Sequence, residues 1–263
     1  MIKLGVCRGI EDAQTAYEAG FDYIECGFGQ IMSLPQAEFD EWKRKLADSP
    51  IPCAAMNGML PGKFRLTGPD ADLKPVREFL SEAFERAGEI GLPVVVFGSG
   101  AARNIPQDRY GNLLYPFDKA LDQVAEYLQM AGDLAQPYGV IIAIEPLRAM
   151  ESNIIRTVAD GVRMAQRVAH PNVKVLADAY HMAEMGEGAQ AVLDAGSDML
   201  RHCHTANPWG RVYPTGDDRW DYTPFFDALK QIGYQGGVSV EAGCSDFAQA
   251  AKRAFEVLDP LRK

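Results

Sequence analysis

Cysteine is scarce and unpaired in this chain: Cys7, Cys26, Cys53, Cys203 and Cys244 are odd in number, widely spaced and free of any Cys-x-x-Cys step. Such a set builds neither a disulfide framework nor a thiolate zinc knot, and a reducing cytoplasm is the expected compartment. No apolar run approaches the roughly 20 residues that a membrane span needs, and the apolar N-terminus, Met1 to Val6, is too short for a signal peptide. Basic runs are missing as well. The formal charge is −10, and the longest basic cluster, Lys43-Arg44-Lys45, follows acidic residues at Glu38, Asp40 and Glu41 and reads as a solvated helix face. Neither nucleic acid nor a membrane is an expected partner.

What is present is the composition of an ordinary globular protein, 47% hydrophobic and 24% charged over 263 residues. Short runs rich in Val and Ile alternate with longer amphipathic stretches, the rhythm of repeated strand–helix units. The runs predict strands at Lys3 to Cys7, Tyr23 to Gly27, Pro52 to Met56, Val94 to Gly98, Val140 to Glu145, Val173 to Asp178, Leu200 to His204 and Gly237 to Glu241. Helices are expected at Ile10 to Ala19, Pro35 to Ala47, Leu73 to Ile90, Phe117 to Tyr138, Val158 to Val168, Ala189 to Ala195, Tyr222 to Ile232 and Phe247 to Leu258. Gly20, Gly91, Gly139, Gly196 and Gly233 punctuate the helix ends. Eight units in this length predict an α/β fold, a single (β/α)8 TIM barrel spanning residues 1–263. An open doubly wound sheet is the alternative, but no Gly-x-Gly-x-x-Gly follows the first strand.

Two connections are long, residues 57–72 and 99–116, and both fall at the C-terminal rim of such a barrel. They carry Lys63, Phe64, Arg65, Arg103, Asn104 and Tyr110, read as substrate cover. Gly98-Ser99-Gly100 reads first as an ordinary turn, although its backbone N–H groups could also meet an anion.

The chemistry gathers at the strand ends. The fifth strand finishes on Glu145-Pro146, the sixth on Asp178-Ala179-Tyr180-His181, the seventh on His202-Cys203-His204 and the eighth on Glu241. Parallel barrel strands converge at one rim, so Glu145, Asp178, His204 and Glu241 are expected in one small volume. Three carboxylates do not crowd together at neutral pH without a proton or cation to offset their repulsion. A divalent metal is the simplest compensation. Three oxygen donors and one imidazole, with no thiolate, favour Mn²⁺ first, with Mg²⁺, Co²⁺ or Fe²⁺ also suited. Asp178 three residues before His181 also reads as a helix cap with a satisfied histidine. His202 and His204 share a strand face, so that one ligates and the other supports. His170, between a helix end and Pro171, reads as surface.

These residues resemble the xylose-isomerase-like TIM barrels, in particular the sugar-phosphate isomerase/epimerase group with its ketose 3-epimerases. The resemblance runs over the whole chain. It is carried by Ile144-Glu145-Pro146, by Asp178-x-x-His181-Met182, by His202-x-His204, and by the stretch from Trp220 through Phe225-Phe226-Asp227-Ala228-Leu229 to Ile232-Gly233-Tyr234 and Glu241. It implies that Glu145, Asp178, His204 and Glu241 hold the metal and that the two glutamates also move protons. It further implies substrate contacts from His181 and Arg211, with Glu151 as a substrate-orienting acid; His202, on the strand face of His204, is read from its position as substrate-binding or lining the site. Arg211 stands one residue later after the metal histidine than in the epimerases.

The implied reaction is divalent-metal-dependent epimerisation of a ketose, or a ketose phosphate, at C3 through an enediolate. Aldose–ketose isomerisation and the enolate chemistry of inositol-pathway enzymes are the enzymatic alternatives, and a non-catalytic sugar-binding barrel is the alternative of another class. Endonuclease IV-type DNA repair shares the barrel but requires histidines at the third and fourth strand ends, where this chain has Asn57 and Gly98-Ser99. The expected partner is a small carbohydrate. A homo-oligomer is compatible with Trp209, Val212, Tyr213 and Pro214 lining either the pocket or a subunit contact.

Overall fold

The computed structural model describes residues 1–263. The elements follow in the order β1 (Lys3–Cys7), α1 (Ala13–Ala19), β2 (Tyr23–Gly27), α2 (Phe28–Ile31), α3 (Gln36–Ala47), β3 (Cys53–Asn57), α4 (Leu73–Glu89), β4 (Val94–Phe97), α5 (Gly100–Arg103), α6 (Phe117–Ala135), β5 (Ile141–Ile144), α7 (Val158–Val168), β6 (Val173–Asp178), α8 (Ala179–Glu184), α9 (Ala189–Met199), β7 (Leu200–Thr205), α10 (Thr223–Gln231), β8 (Gly237–Val240) and α11 (Phe247–Leu258). All eight strands are parallel, and β1 pairs with β8 to close a (β/α)8 barrel. No helix is long and apolar enough to cross a membrane.

The apolar strand faces that look outward pack against the helices in one continuous core, which includes Val6, Ile24, Phe84, Phe97, Tyr127, Ile142, Val175, Phe226 and Val240. Inside the barrel the apolar filling is small, with Val96, Ala143 and Leu176 as a separate cluster. Polar groups share the interior with it, among them Glu25, His202, His204 and Ser239, all buried. Tyr23 crosses it where Gly5 and Gly237 carry no side chain: a Cβ on Gly5 would stand 2.2 Å from the Tyr23 ring, and one on Gly237 2.3 Å from its hydroxyl.

The three elements absent from the sequence reading, α2, α5 and α8, are four to six residues long and follow strands at the rim. They are too short to show a helical period, so no pattern announces them. The helix read as ending at Ala195 runs on to Met199 across a kink at Gly196, whose φ of 70° interrupts it. His170 is a correction. It is 8% exposed rather than on the surface, its ring lies where Gly132 of α6 has no Cβ, and its Nδ1 accepts the Asn172 N–H at 3.1 Å.

The two long rim connections are tied to each other. Leu66 N–H donates to the Ala102 carbonyl at 2.8 Å and Thr67 Oγ1 to the Asn104 carbonyl at 2.7 Å. Arg65 is spent on the carbonyls of Gly62 and Phe64, and Phe64 is buried against Phe79. Arg103 departs from the role of substrate cover. It is fully buried under the rim and donates to the carbonyls of Phe97 at 3.1 Å, Glu145 at 2.7 Å and Ile155 at 3.3 Å. Burial pulls its guanidinium down to about 10, against the nearby Glu145 charge, so at neutral pH it remains a cation. One side chain thereby joins the ends of β4 and β5 to the segment after β5, where Ile155 takes a left-handed φ of 54°. Replacing Arg103 with Met removes the donors and leaves buried carbonyls short of partners. The expected cost is about 2–4 kcal/mol of unfolding free energy in urea titration, and a loss under about 0.5 kcal/mol would show that the three bonds are dispensable.

Candidate active site

Glu145, Asp178, His204 and Glu241 meet at the C-terminal mouth of the barrel, where each offers a ligand atom within 4.8 Å of the others. Each arrives from its own strand end: Glu145 follows β5, Asp178 closes β6, His204 lies in β7 and Glu241 follows β8. The register sets His204 directly beside Asp178 on one side and Ser239 on the other. Gly98, next after β4, has no side chain because a Cβ there would stand 2.3 Å from Glu145 Oε2. That close approach, rather than an anion cradle, accounts for the first glycine of Gly98-Ser99-Gly100. The second has a similar reason, since a Cβ on Gly100 would stand 2.5 Å from the Glu151 carbonyl.

Asp178 fulfils two roles with two oxygens. Its Oδ1 accepts the Tyr180 N–H at 2.7 Å and caps α8, whereas its buried Oδ2 has no hydrogen-bond partner. His181, one turn into that helix, is arranged likewise. Its Nδ1 accepts the Arg148 N–H at 3.3 Å, which leaves the proton on Nε2. That Nε2 is also without a partner, 3.6 Å from Asp178 Oδ2 and 3.8 Å from Glu145 Oε1. Burial, with the Arg211 charge second, lowers His181 to about 3, so it is a neutral donor aimed into the cavity.

The electrostatics follow from packing three acids together. Burial and the charges of Glu145 and Glu241 outweigh His204 and raise Asp178 to about 7. Glu145 is raised too, by burial first, although His204 works against it. Glu241 goes the other way: His204 and Arg211 overcome its burial and hold it at about 2. Arg211 forms an ion pair with Glu241 Oε2, lies 3.5 Å from Glu151 and 4.0 Å from Asp178, and stacks 4.8 Å from the Tyr180 ring centre. Its backbone holds a left-handed φ of 50°, and its carbonyl accepts the Gly243 N–H at 2.9 Å. Glu151 is pinned on the far side by Arg148 Nε at 2.7 Å and, through its carbonyl, by Asn104 Nδ2 at 3.0 Å. Asn57, at the end of β3, donates to Glu241 Oε1 at 3.0 Å.

All four residues expected as ligands are thus brought together, with His181, Glu151 and Arg211 on the wall beside them. His202 is not on that wall. It is 2% exposed, one step deeper in the barrel, with Nε2 2.6 Å from Glu25 Oε2. Glu25 is the functional-looking residue that sequence reading missed. Its signal is a lone carboxylate in the middle of the short apolar strand Tyr23–Gly27, a costly placement away from any strand end. Burial opposes its charge, yet His204 and His202 outweigh that and keep the carboxyl well below its ordinary range.

The donor set fits a divalent cation. Three carboxylates and one imidazole converge, Asp178 Oδ2 lacks a partner, and no thiolate lies among the four. Oxygen-rich sites of this kind suit Mn²⁺, Mg²⁺, Co²⁺ or Fe²⁺.

Comparison with known proteins agrees with this architecture. Residues 13–262 match the family model described as the xylose isomerase-like TIM barrel. A D-psicose 3-epimerase of Agrobacterium fabrum is 29% identical over 227 residues, covering 84% of this chain and 75% of that protein. A 3-dehydro-D-guloside 4-epimerase of Escherichia coli is 27% identical over 241 residues, covering 88% and 86%. Among solved structures, D-psicose 3-epimerase from Clostridium cellulolyticum superposes with a TM-score of 0.83 at 22% identity, covering 99% of this chain and 98% of the other. With its closed barrel and a family match over nearly its whole length, the chain belongs to the xylose isomerase-like TIM-barrel family.

Proposed function

We propose that this protein is a divalent-metal-dependent carbohydrate epimerase that exchanges a proton at the carbon next to a ketone, with C3 of a ketose as the leading substrate position. The observation that carries the reading is the pair Glu145 and Glu241. They follow β5 and β8, three strands apart around the barrel, with Asp178 and His204 on the two strands between them. Two carboxylates reaching one site from separate strands suit a reaction that removes a proton from one face of a carbon and returns one to the other. Without a metal their proton affinities already diverge, Glu241 held at about 2 and Glu145 raised, so the two carboxylates are not equivalent acids.

Glu145, Asp178, His204 and Glu241 are the residues that would hold the metal, which when bound supplies Lewis-acid stabilisation of the negative charge developing on the substrate oxygens. The remaining work falls to the chain. His181 Nε2–H donates to a substrate oxygen beside Asp178, and Glu151, held by Arg148, orients a hydroxyl. Arg211 offers its guanidinium to the same substrate end while paired with Glu241.

The rim supports an unphosphorylated substrate. Arg65, Arg103, Arg148 and Arg211 are each engaged with carbonyls or carboxylates, and among the rim cations read as substrate cover only Lys63, over the Phe64 ring, has no such partner. A second reading, epimerisation at C4 of a 3-keto sugar, is supported by the Escherichia coli relative, which is covered as fully as this chain. It uses the same proton chemistry.

The deciding experiment incubates the Mn²⁺-loaded protein with free ketoses, ketose phosphates and 3-keto glycosides in D₂O and reads deuterium by NMR. Label at C3 of a ketose, with its epimer, is the expected result. Label at C4 of a 3-keto glycoside selects the second reading, exchange at C1 or C2 with aldose formation selects an isomerase, and no label in any sugar excludes epimerisation of these classes. Glu145→Gln and Glu241→Gln should each reduce turnover by about 10²–10⁴-fold, and near-normal turnover in either variant would remove that residue from proton transfer.

Asp178 supplies a pH test. Its carboxyl is ordinarily near 3.8 and stands at about 7 in the fold, so the folded chain retains a proton that the unfolded chain releases. The stabilisation from that proton is complete below 3.8 and is lost as pH rises through about 7. A cation takes over where the proton leaves. Added Mn²⁺ should therefore raise the melting temperature more at pH 8 than at pH 5.5, and equal shifts would argue against Asp178 as a ligand.

A further inference from the structure

The carboxylate of Glu25 faces away from the gap between the four strand-end donors, yet it holds one of them. Glu25 belongs to β2, three strands from β7 around the closed sheet, so its contacts with β7 run through the barrel interior. Its Oε1 accepts from His204 Nε2 at 2.9 Å; its Oε2 accepts from His202 Nε2 at 2.6 Å and from Ser239 Oγ at 2.6 Å. The Tyr23 hydroxyl, 2.8 Å from Ser239 Oγ, completes the group from below.

An ionised carboxylate only accepts hydrogen bonds, so each imidazole nitrogen that faces it carries a hydrogen. For His204 that nitrogen is Nε2, so Nδ1, which also faces carboxylates, is the nitrogen left to give up its hydrogen to a cation. Nδ1 points to the mouth, 3.3 Å from Glu145 Oε1 and 3.5 Å from Glu241 Oε2.

We propose that Glu25 is a positioning residue for the metal centre: by holding the Nε2–H of His204 it fixes the tautomer and ring angle that present Nδ1 to a cation among Glu145, Asp178 and Glu241. The proposal rests on the metal-centre reading above. A carboxylate on the far nitrogen of a ligand imidazole also increases the basicity of the near one. Glu25 cannot swing aside freely, because its second oxygen is held by His202 and Ser239.

Glutamine at this position keeps the shape and breaks the logic. With its carbonyl oxygen taken by His202 and Ser239, its NH₂ would face His204 Nε2. That nitrogen would then have to accept, which moves the proton to Nδ1 and closes the lone pair to metal.

The test compares wild type, Glu25→Gln and Ser239→Ala, each freed of metal, by calorimetric titration with Mn²⁺ and with Zn²⁺ alongside melting curves without metal. Glu25→Gln should bind about 10–100-fold more weakly and Ser239→Ala by less than about 5-fold, with affinity losses that do not follow the melting temperatures. Zn²⁺-loaded wild type labelled with ¹⁵N-histidine should show His204 with hydrogen on Nε2 and none on Nδ1. Unchanged affinity in a folded Glu25→Gln, or hydrogen on Nδ1 in the loaded wild type, would overturn the proposal. If Glu25→Gln does not fold, the wild-type spectrum decides between those results. Failure of wild type to bind either metal removes the metal-centre reading, and this proposal falls with it.

Discussion

The mutual repulsion of Glu145, Asp178 and Glu241 is the constraint on which the upper half of this barrel depends. Three acids with ligand atoms a few ångströms from a common imidazole do not stay ionised together without opposite charge. The chain supplies part of it through His204 and Arg211, and the imbalance shows in the divergent proton affinities of the three acids. Around them the backbone is arranged to hold the acids where they repel. Glycine at position 98 makes room for one carboxylate, Asn57 donates to another, and α8 begins on the third. These placements are what the proposed metal centre requires.

The barrel itself was legible because parallel strands buried on both faces read as near-continuous apolar runs, and the helices between them carry a clear period. The helix over Val158–Val168 and that over Phe247–Leu258 match residue for residue. The ligand-capable residues were legible for a related reason: a charge ending an apolar strand is conspicuous. What escaped was whatever lies in mid-strand or acts through the backbone. Glu25 is set within a strand and contacts side chains more than 170 positions away, a pairing that exists only after closure. Arg103 looked like a rim cation because sequence alone does not tell a guanidinium that faces solvent from one that ties three carbonyls together. His170 was misplaced for want of Gly132, whose missing side chain provides its socket.

The two arginines beside the site show how the same residue type divides its labour. Arg103 works from beneath, where its buried charge stays below the floor of the cavity and its donors fix the carbonyl of Glu145 itself. Arg211 works from above, on a left-handed backbone between Gly210 and Val212, with its charge shared among Glu241, Glu151 and Asp178. Arg148 faces Tyr180 as Arg211 does and anchors Glu151 and Glu184. The wall of the cavity is therefore cross-braced by alternating charges, which limits how far any one acid can move when a ligand enters.

Tyr23 lends the barrel a polarity of another kind. Lying across Gly5 and Gly237, it stoppers the lumen beneath Ser239, Glu25 and the two histidines. Because its ring fills the space that Gly5 and Gly237 leave, a side chain at either position would displace the hydroxyl that meets Ser239, and through Ser239 the grip of Glu25 on His204, so two glycines at the foot of the barrel govern an imidazole at its mouth.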